Sequence, residues 1–357
     1  MSLWQWAKER WWDRDTTKFS IKLIDDPAHV DSHSVSAPLE ANKTYFRLRL
    51  AEMFLKKDVK MGSSWYPAVH SLVRFDFGNQ PQFEVPNIVD PVIQGMKPRG
   101  AGDVIVRGLA LTPPMPFRGG NVAINAGLVA IEGENHLRKF IGILGGFASL
   151  LNVPQLSAAI GMAEPLASGI QELFGAGKGQ LRLGIKRESS AEGLKRCYIA
   201  ALGAKEADVD ANSLWVVEHE LREGVSLTSN TPFDRFDYML LQVEIFENRD
   251  DWNQLTYVAE PLNEVIDALS SGDEAKAKLQ LQSAKRNVWK SQDLTQADRT
   301  RVVARLNEWF VQARDDLQTK GAIGRDITLQ GVMRDAMPAA KALDRGEPTL
   351  EDVLNVQ

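Results

Sequence analysis

The chain has 357 residues, of which 44% are apolar and 25% are charged, and its formal net charge is −5. This size fits one large globular domain or two smaller ones, and the mild acidity gives no electrostatic reason to expect nucleic-acid binding. The one cysteine, Cys197, excludes an intramolecular disulfide, which fits a reducing compartment.

Residues 1–16 are predicted to form a tryptophan-rich arm, with four Trp among the first 12 residues. Charged residues interrupt this segment, so it lacks the apolar core of a signal peptide, and we predict a cytoplasmic protein. Large apolar side chains at a terminus favour docking, either on the protein's own body or on a partner, where Trp is enriched. A membrane interface is a third site that Trp favours. We predict partner contacts for Trp4, Trp11 and Trp12.

Alternation of apolar and polar residues with period two predicts about nine or ten strands between residues 17 and 249. Clusters of Pro and Gly, Pro81 and Pro86 among them, are interpreted as lying between strands, at turns and sheet edges, since Pro is excluded from central ladders. The alternation also assigns His70 to the polar face of its strand. Predicted strands are 45–50, 69–77, 104–112, 122–132, 180–188, 196–202 and 236–247, with a hairpin of 215–219 and 222–228 that turns near Glu220. Predicted core residues are Phe46, Leu48, Val73, Phe75, Leu183, Leu241 and Val243.

An apolar segment interrupts this β-rich region. Residues 140–163 contain no charged side chain, and the pattern predicts two helices within 134–175, joined near Pro154. The small residues of this helical hairpin would let two helices approach closely. We expect it to cover an open side of the sheets; the alternatives are an exposed hairpin used for oligomerisation or membrane insertion. The packing residues are Gly142, Gly145, Gly146, Phe147, Ala158 and Ala159.

The composition changes after residue 249. Residues 250–320 are predicted to form a helical subdomain, in which Thr295 and Asp298 match a capping box. The tail 321–357 is irregular, with Leu350 and Leu354 as predicted partner contacts. The fold class is therefore α+β: a β-sandwich-like domain over 17–249, interrupted by the apolar helical hairpin 134–175 and followed by the helical C-terminal subdomain.

The candidate catalytic and cofactor-binding segments do not meet the requirements of the known motifs. In the segment 174–179 a Lys is followed by Gly179 instead of Ser or Thr, and the order of elements is helix then strand, the reverse of a phosphate-binding loop. Cys197 lies in a predicted strand, where a buried structural role is favoured over a nucleophile. The five histidines show no triad pattern in the sequence.

One loop, 25–33, concentrates potential metal ligands. Pro27 and the surrounding Asp and Ser residues argue for a loop instead of a helix, so the favoured interpretation is a solvated acidic loop. The alternative is a weak divalent-metal site. Its potential ligands are Asp25, Asp26, His29, Asp31 and His33.

These observations favour a non-enzymatic binding or scaffold component of a cytoplasmic multi-protein assembly, with protein partners or self-association and no cofactor. The first alternative is a conditionally membrane-active, autoinhibited protein that releases the hairpin 134–175. The second is a metal-dependent enzyme that uses the loop 25–33.

Overall fold

The computed structural model describes residues 19–31, 38–56, 65–77, 80–89, 104–133, 135–136, 156, 168, 172, 179–190 and 193–320. These residues form a mixed structure of helix and sheet, mostly antiparallel strands in three sheets with three helices at the C-terminal end. The chain divides into two compact units, Met1–Phe246 and Glu247–Gln357.

The strands all lie in the first unit. They are β1 (Ser20–Ile24), β2 (Tyr45–Phe54), β3 (Trp65–Phe77), β4 (Gln80–Val89), β5 (Val104–Ala110), β6 (Met115–Pro116), β7 (Val122–Glu132), β8 (Gly179–Ser189), β9 (Cys197–Leu202), β10 (Leu214–Val217), β11 (Glu220–Ser226), β12 (Ser229–Pro232) and β13 (Tyr238–Phe246).

Three sheets result from antiparallel pairing. The largest has the order β1–β9–β13–β2–β5, with β6 also paired to β2. The second has the order β4–β3–β7–β8, and the third is the meander β10–β11–β12. Neighbours in the largest sheet come from distant parts of the sequence, so long-range contacts determine its strand order.

One apolar cluster joins the two larger sheets. Phe46 of β2 contacts Phe75 of β3 edge to face, with ring centroids 5.3 Å apart, and the same cluster takes in Leu183 and Leu241. All seven residues predicted to be core are buried in it, which confirms the predicted strand faces. A register slip of one residue would have moved every one of them to the opposite face.

The prediction that Pro81 and Pro86 lie between strands is wrong, but proline does mark a sheet edge here. Both residues lie inside β4, and Pro86 is opposite Leu72 of β3. β4 occupies the outer position of its sheet, where the missing N–H of proline removes no ladder hydrogen bond on the open side.

The assignment of His70 to a polar face is also wrong, because its side chain is 3% exposed. His70 pairs across the sheet with Gly127 of β7, and a Cβ at that glycine would overlap the imidazole ring. Alternation therefore identified a face of β3 correctly, but that face is not open to solvent.

The third sheet packs on the other face of the largest sheet. Leu214, Val216 and Leu221 of the meander are buried in one cluster with Ala200 of β9 and Leu240 of β13. A buried carboxylate fixes this contact: Glu52 Oε2 of β2 accepts a hydrogen bond of 2.8 Å from the backbone N–H of Leu221.

The second unit has a core of its own. Its helices are α1 (Thr256–Ser270), α2 (Glu274–Lys290) and α3 (Gln296–Lys320). Val258 and Leu262 of α1, Leu281 of α2, and Leu306 and Phe310 of α3 are all buried together. The threonine half of the predicted capping box is confirmed, since Thr295 Oγ1 accepts a hydrogen bond of 3.2 Å from the N–H of Asp298 at the start of α3.

Candidate functional site

The contact residues predicted from the sequence lie outside the described residues. This holds for the partner-binding residues Trp4, Trp11, Trp12, Leu350 and Leu354 and for the hairpin residues Gly142, Gly145, Gly146, Phe147, Ala158 and Ala159. They remain predictions.

Polar side chains in the described part of the loop 25–33 form hydrogen bonds within the loop and with the β10–β11 hairpin. Asp26 accepts a hydrogen bond of 2.8 Å from Ala28 N and caps the 3-10 helix Pro27–His29. His29 Nδ1 donates to the carbonyl of Leu214 at 2.8 Å, and its ring stacks on Trp215 with centroids 4.1 Å apart. His33 lies outside the described residues. Among the residues that the structure does describe, no group of three His, Cys, Asp or Glu side chains is placed to hold a metal ion.

An unusual turn connects β10, which the loop contacts, to β11. Glu218 and His219 form a two-residue connection, and both have positive φ, 51° and 66°. Hairpins prefer this turn type because its twist matches the strands, but Asn-Gly or Asp-Gly normally occupies it. A left-handed backbone costs a residue with a Cβ about 1–2 kcal/mol. The turn is therefore strained at two consecutive positions.

Two side chains hold the strained turn from opposite sides. Asp31 Oδ2 accepts a hydrogen bond of 2.6 Å from the backbone N–H of Glu218. The hydroxyl of Tyr198, on β9, lies 2.7 Å from His219 Nδ1 and shares a hydrogen bond with it. Asp31 is itself attached to the hairpin, because its N–H donates to the carbonyl of Val216 at 3.1 Å. We call these four residues, Asp31, Tyr198, Glu218 and His219, the turn surface.

A mixed-charge row continues from the turn surface across the largest sheet. Tyr198 of β9 is opposite Gln242 of β13, which is opposite Arg49 of β2. Arg47 Nε and Arg49 NH1 donate to the two carboxylate oxygens of Glu244, at 2.7 and 3.2 Å. Two guanidinium groups therefore share one carboxylate, which leaves one net positive charge beside the tyrosine.

The chemistry of this region suits binding through hydrogen bonds and charge. Burial raises the pKa of the Tyr198 phenol well above its usual range, and the carboxylates of Asp31 and Glu244 add to the shift. The phenol therefore stays protonated at neutral pH and, being buried itself, serves to hold His219 through their hydrogen bond. Glu218 and His219 are exposed, so a partner can reach them.

Cys197, the neighbour of Tyr198 on β9, is buried on the opposite face of the strand, as predicted. Burial raises the pKa of its thiol to about 12. Because the thiolate is the nucleophile of cysteine chemistry, the fold keeps Cys197 in its unreactive form.

Sequence reasoning placed a hairpin here but missed the turn surface. Its members are separated by up to 188 positions along the chain, and only the sheet pairing brings them together. The one local signal is the segment Val217-Glu218-His219-Glu220, a two-residue connection between strands that contains no glycine or asparagine.

Comparison of the chain with protein-family models, with curated proteins and with solved structures found no match. In the part of the chain that the structure describes, no helix has both the length and the apolar character needed to cross a membrane.

Proposed function

We propose that the protein is a non-enzymatic binding or scaffold component of a cytoplasmic multi-protein assembly, and that the turn surface is one of its contact sites. The strained turn carries this proposal. Backbone strain that survives in a structure is held by surrounding interactions and concentrates at functional positions. Here Asp31 and Tyr198 supply those interactions, and they present Glu218 and His219 to solvent in one fixed conformation.

A partner would meet a rigid surface that combines the carboxylates of Asp31 and Glu218 with the imidazole of His219. Preorganisation lowers the entropy lost on binding, because the turn does not have to be ordered by the partner. The row of Arg49 and Glu244 behind the turn adds polar groups that favour specificity over affinity.

The test measures thermal stability and partner binding in a variant whose turn is no longer strained. Glu218→Asn combined with His219→Gly installs the preferred turn sequence, so strain falls while the Tyr198–His219 hydrogen bond is lost. The bond is worth about 0.5–1.5 kcal/mol and the strain about 1–2 kcal/mol per residue, so we expect unchanged or higher thermal stability. We expect the same variant to recover less partner when the protein is isolated at its native expression level.

Asn42→Gly provides the matched control. Asn42 also has positive φ, 62°, but lies in a different turn, over residues 41–43. This variant should keep full partner recovery. If the turn variant recovers the same partners as wild type, the turn surface is not a contact site; if wild type purifies alone and shows metal-dependent turnover, the enzyme alternative replaces the scaffold.

For the fold, we propose that the two larger sheets form a β-sandwich around their shared apolar cluster and that the hairpin 134–175 covers the second face of the four-stranded sheet. Ala68, Leu72, Val129 and Ile131 on that face are at most 4% exposed, yet they belong to none of the three apolar clusters formed by the described residues. Side chains from outside those clusters therefore cover these four residues. The uncharged segment 140–163 has the apolar composition that such a cover requires.

One described residue of the segment is buried in the core. Leu156 is fully buried in the cluster that joins the two larger sheets, so this position packs on the first face of the four-stranded sheet, and the cover of the second face is proposed for the rest of the hairpin. Ser168 and Glu172, four residues apart and helical, are exposed. A permanent cover and a hairpin held for release both keep the apolar side buried at rest, so an experiment has to separate them.

Two substitutions distinguish the cover from the membrane-active alternative. Gly145→Asp should lower the melting temperature, because a buried charge lacks a partner, whereas Ser168→Asp, at an exposed position, should not.

In the membrane-active alternative, wild type releases dye from liposomes after limited proteolysis. An Asp on the inserting face should then abolish release, since a charge at the bilayer centre costs about 2.5–3.5 kcal/mol. Release by wild type that the folded Asp variant lacks would overturn the scaffold proposal.

A further inference from the structure

The first two helices of the C-terminal unit carry opposite charge. α1 contains three acidic and no basic residues, and α2 contains five basic residues and one acidic residue. The helices are consecutive in the chain and both contribute to the core of this unit. Each therefore has one apolar face directed inward and one charged face directed outward.

The charges lie in lines along the exposed faces. Glu260, Glu264 and Asp267 of α1 are all exposed, and they recur at intervals of four and three residues, which places them on one side of a helix. We call these three residues the acidic face.

Lys276, Arg286 and Lys290 of α2 are likewise exposed. Their spacings of ten and four residues keep them on one side of α2, and Leu279, 57% exposed, lies between them on the same side. We call these four residues the basic face.

Neither face is neutralised within the described part of the chain. Salt bridges there include Lys278–Glu274 within α2, but none involves a charged residue of either face. Exposed charges of this kind are usually solvated, and an exposed ion pair contributes little by itself. Three aligned charges on each of two helices are a different case, since they can engage one complementary surface together.

We propose that the acidic face of one copy of the chain binds the basic face of a second copy. The intervals match: Glu260 and Glu264 are four residues apart, as are Arg286 and Lys290, so both pairs span about 6 Å along a helix. A two-fold arrangement makes both contacts at once, because each copy supplies one face of each kind. The exposed Leu279 adds apolar area at the centre of the basic face.

A second copy fits these faces better than a polyanion does. The chain has a net charge of −5, which opposes nucleic acid or an anionic membrane at long range. A polyanion would also leave the acidic face unused, whereas a second copy pairs Glu260 and Glu264 with Arg286 and Lys290 and uses both faces. This contact is independent of the turn surface and of the hairpin 134–175.

The experiment uses the full chain with reversed charges. Glu260→Lys/Glu264→Lys makes two of the three acidic-face positions basic. Arg286→Glu/Lys290→Glu makes two of the three charged positions of the basic face acidic. Sedimentation velocity over a concentration series should show self-association of wild type at about 50 mM salt and its loss at about 500 mM, because screening weakens exposed charge pairs. Each double variant alone should be monomeric under both conditions.

Mixing the two variants is the decisive step. A 1:1 mixture should associate again, since one variant presents only basic and the other only acidic faces to its partner. Asp234→Lys/Glu247→Lys, exposed residues outside both faces, makes the same change in net charge as Glu260→Lys/Glu264→Lys and should associate like wild type.

Circular dichroism of each variant verifies the fold. Glu260→Gln/Glu264→Gln replaces the acidic-face variant if that one is unfolded, and Arg286→Gln/Lys290→Gln replaces the basic-face variant; a neutral variant should not self-associate, and its mixture with the other variant should associate through one of the two contacts.

Three results would overturn the proposal: wild type that stays monomeric at every concentration in low salt, self-association that survives either reversal, or a mixture that fails to associate. Wild type that binds anionic vesicles or DNA through the basic face without self-association would assign the face to a polyanion instead.

Discussion

His70 is a titratable residue that the fold buries, so its charged form is disfavoured. Its side chain is almost wholly buried over Gly127, and burial lowers its pKa to about 3. The fold therefore accepts the neutral imidazole and disfavours the charged one. Because the unfolded histidine has its ordinary pKa, stability is fully present above about 6.5 and is lost as the pH falls towards about 3.

We predict that His70→Gln removes this part of the acid sensitivity. Between about pH 8 and about pH 5 the histidine should account for roughly 2 kcal/mol of lost stability, by linkage. Urea unfolding of wild type and variant at the two pH values measures the difference. Parallel losses in both proteins would show that His70 does not determine the pH dependence.

A second prediction concerns Gly127, which is paired with His70 across the sheet. A Cβ there would overlap the His70 ring and lie 2.9 Å from Leu181 Cδ1. Gly127→Ala should therefore destabilise the protein by about 1–3 kcal/mol through overpacking. In a His70→Ala background most of that cost should disappear, and a double-mutant cycle of unfolding free energies tests the coupling. Additive effects would contradict it.

At the scale of elements, the start of α3 depends on a cap and a polar network. Thr295 caps the helix, while the carboxylate of Asp298 accepts hydrogen bonds from Arg249 N at 3.1 Å and from Arg301 Nε at 2.5 Å. The fully buried Arg249 also pairs with Asp251 at 2.6 Å. This network fixes the chain just before α1 to the first turn of α3.

We predict that Thr295→Ala lowers stability by about 1 kcal/mol, the usual cost of losing an N-cap. Thr300→Ala, one turn further along α3, changes the same residue type away from the cap and should be close to neutral. Thermal melts of the two variants against wild type provide the comparison. Equal melting temperatures for both would mean that the Thr295 hydroxyl does not stabilise α3.

At the scale of the whole molecule, the two units have separate apolar cores. The core of the second unit includes Leu306, Trp309 and Phe310 from α3 together with residues of α1 and α2. A unit with its own core can fold alone, although at this size its stability is modest.

We therefore predict that a fragment of residues 247–320 is helical and melts cooperatively, as measured by circular dichroism. A fragment of residues 247–295 lacks α3 and its three large core residues, so it should show no cooperative transition. An unfolded longer fragment would show that the second unit requires the first.

Local patterns predicted elements best where one periodicity ran unbroken. The predicted inward faces of β2 and β13 are buried as their alternation indicates, whereas β7, predicted at 122–132 and observed as Val122–Glu132, is buried on both faces. The prolines of β4 were predicted only in part. Pro81 and Pro86 lie inside a strand and not between strands, but β4 is an edge strand, where proline is tolerated.

The candidate site was much less predictable than the elements. The sequence indicated a hairpin near Glu220, but it did not indicate that Asp31 and Tyr198 would hold its turn, because both lie far from it along the chain. The acidic and basic faces of α1 and α2 are visible as spacings in the sequence, yet their exposure depends on which sides pack in the core.

By itself the sequence determined the type of most elements, their inward faces and the cap of α3, since each depends on residues a few positions apart. The tertiary structure decided the strand order, the burial of His70, the edge position of β4 and the clamped turn at Glu218 and His219. Those features depend on pairs of residues brought together by the whole fold, and such contacts leave no periodic trace in one chain.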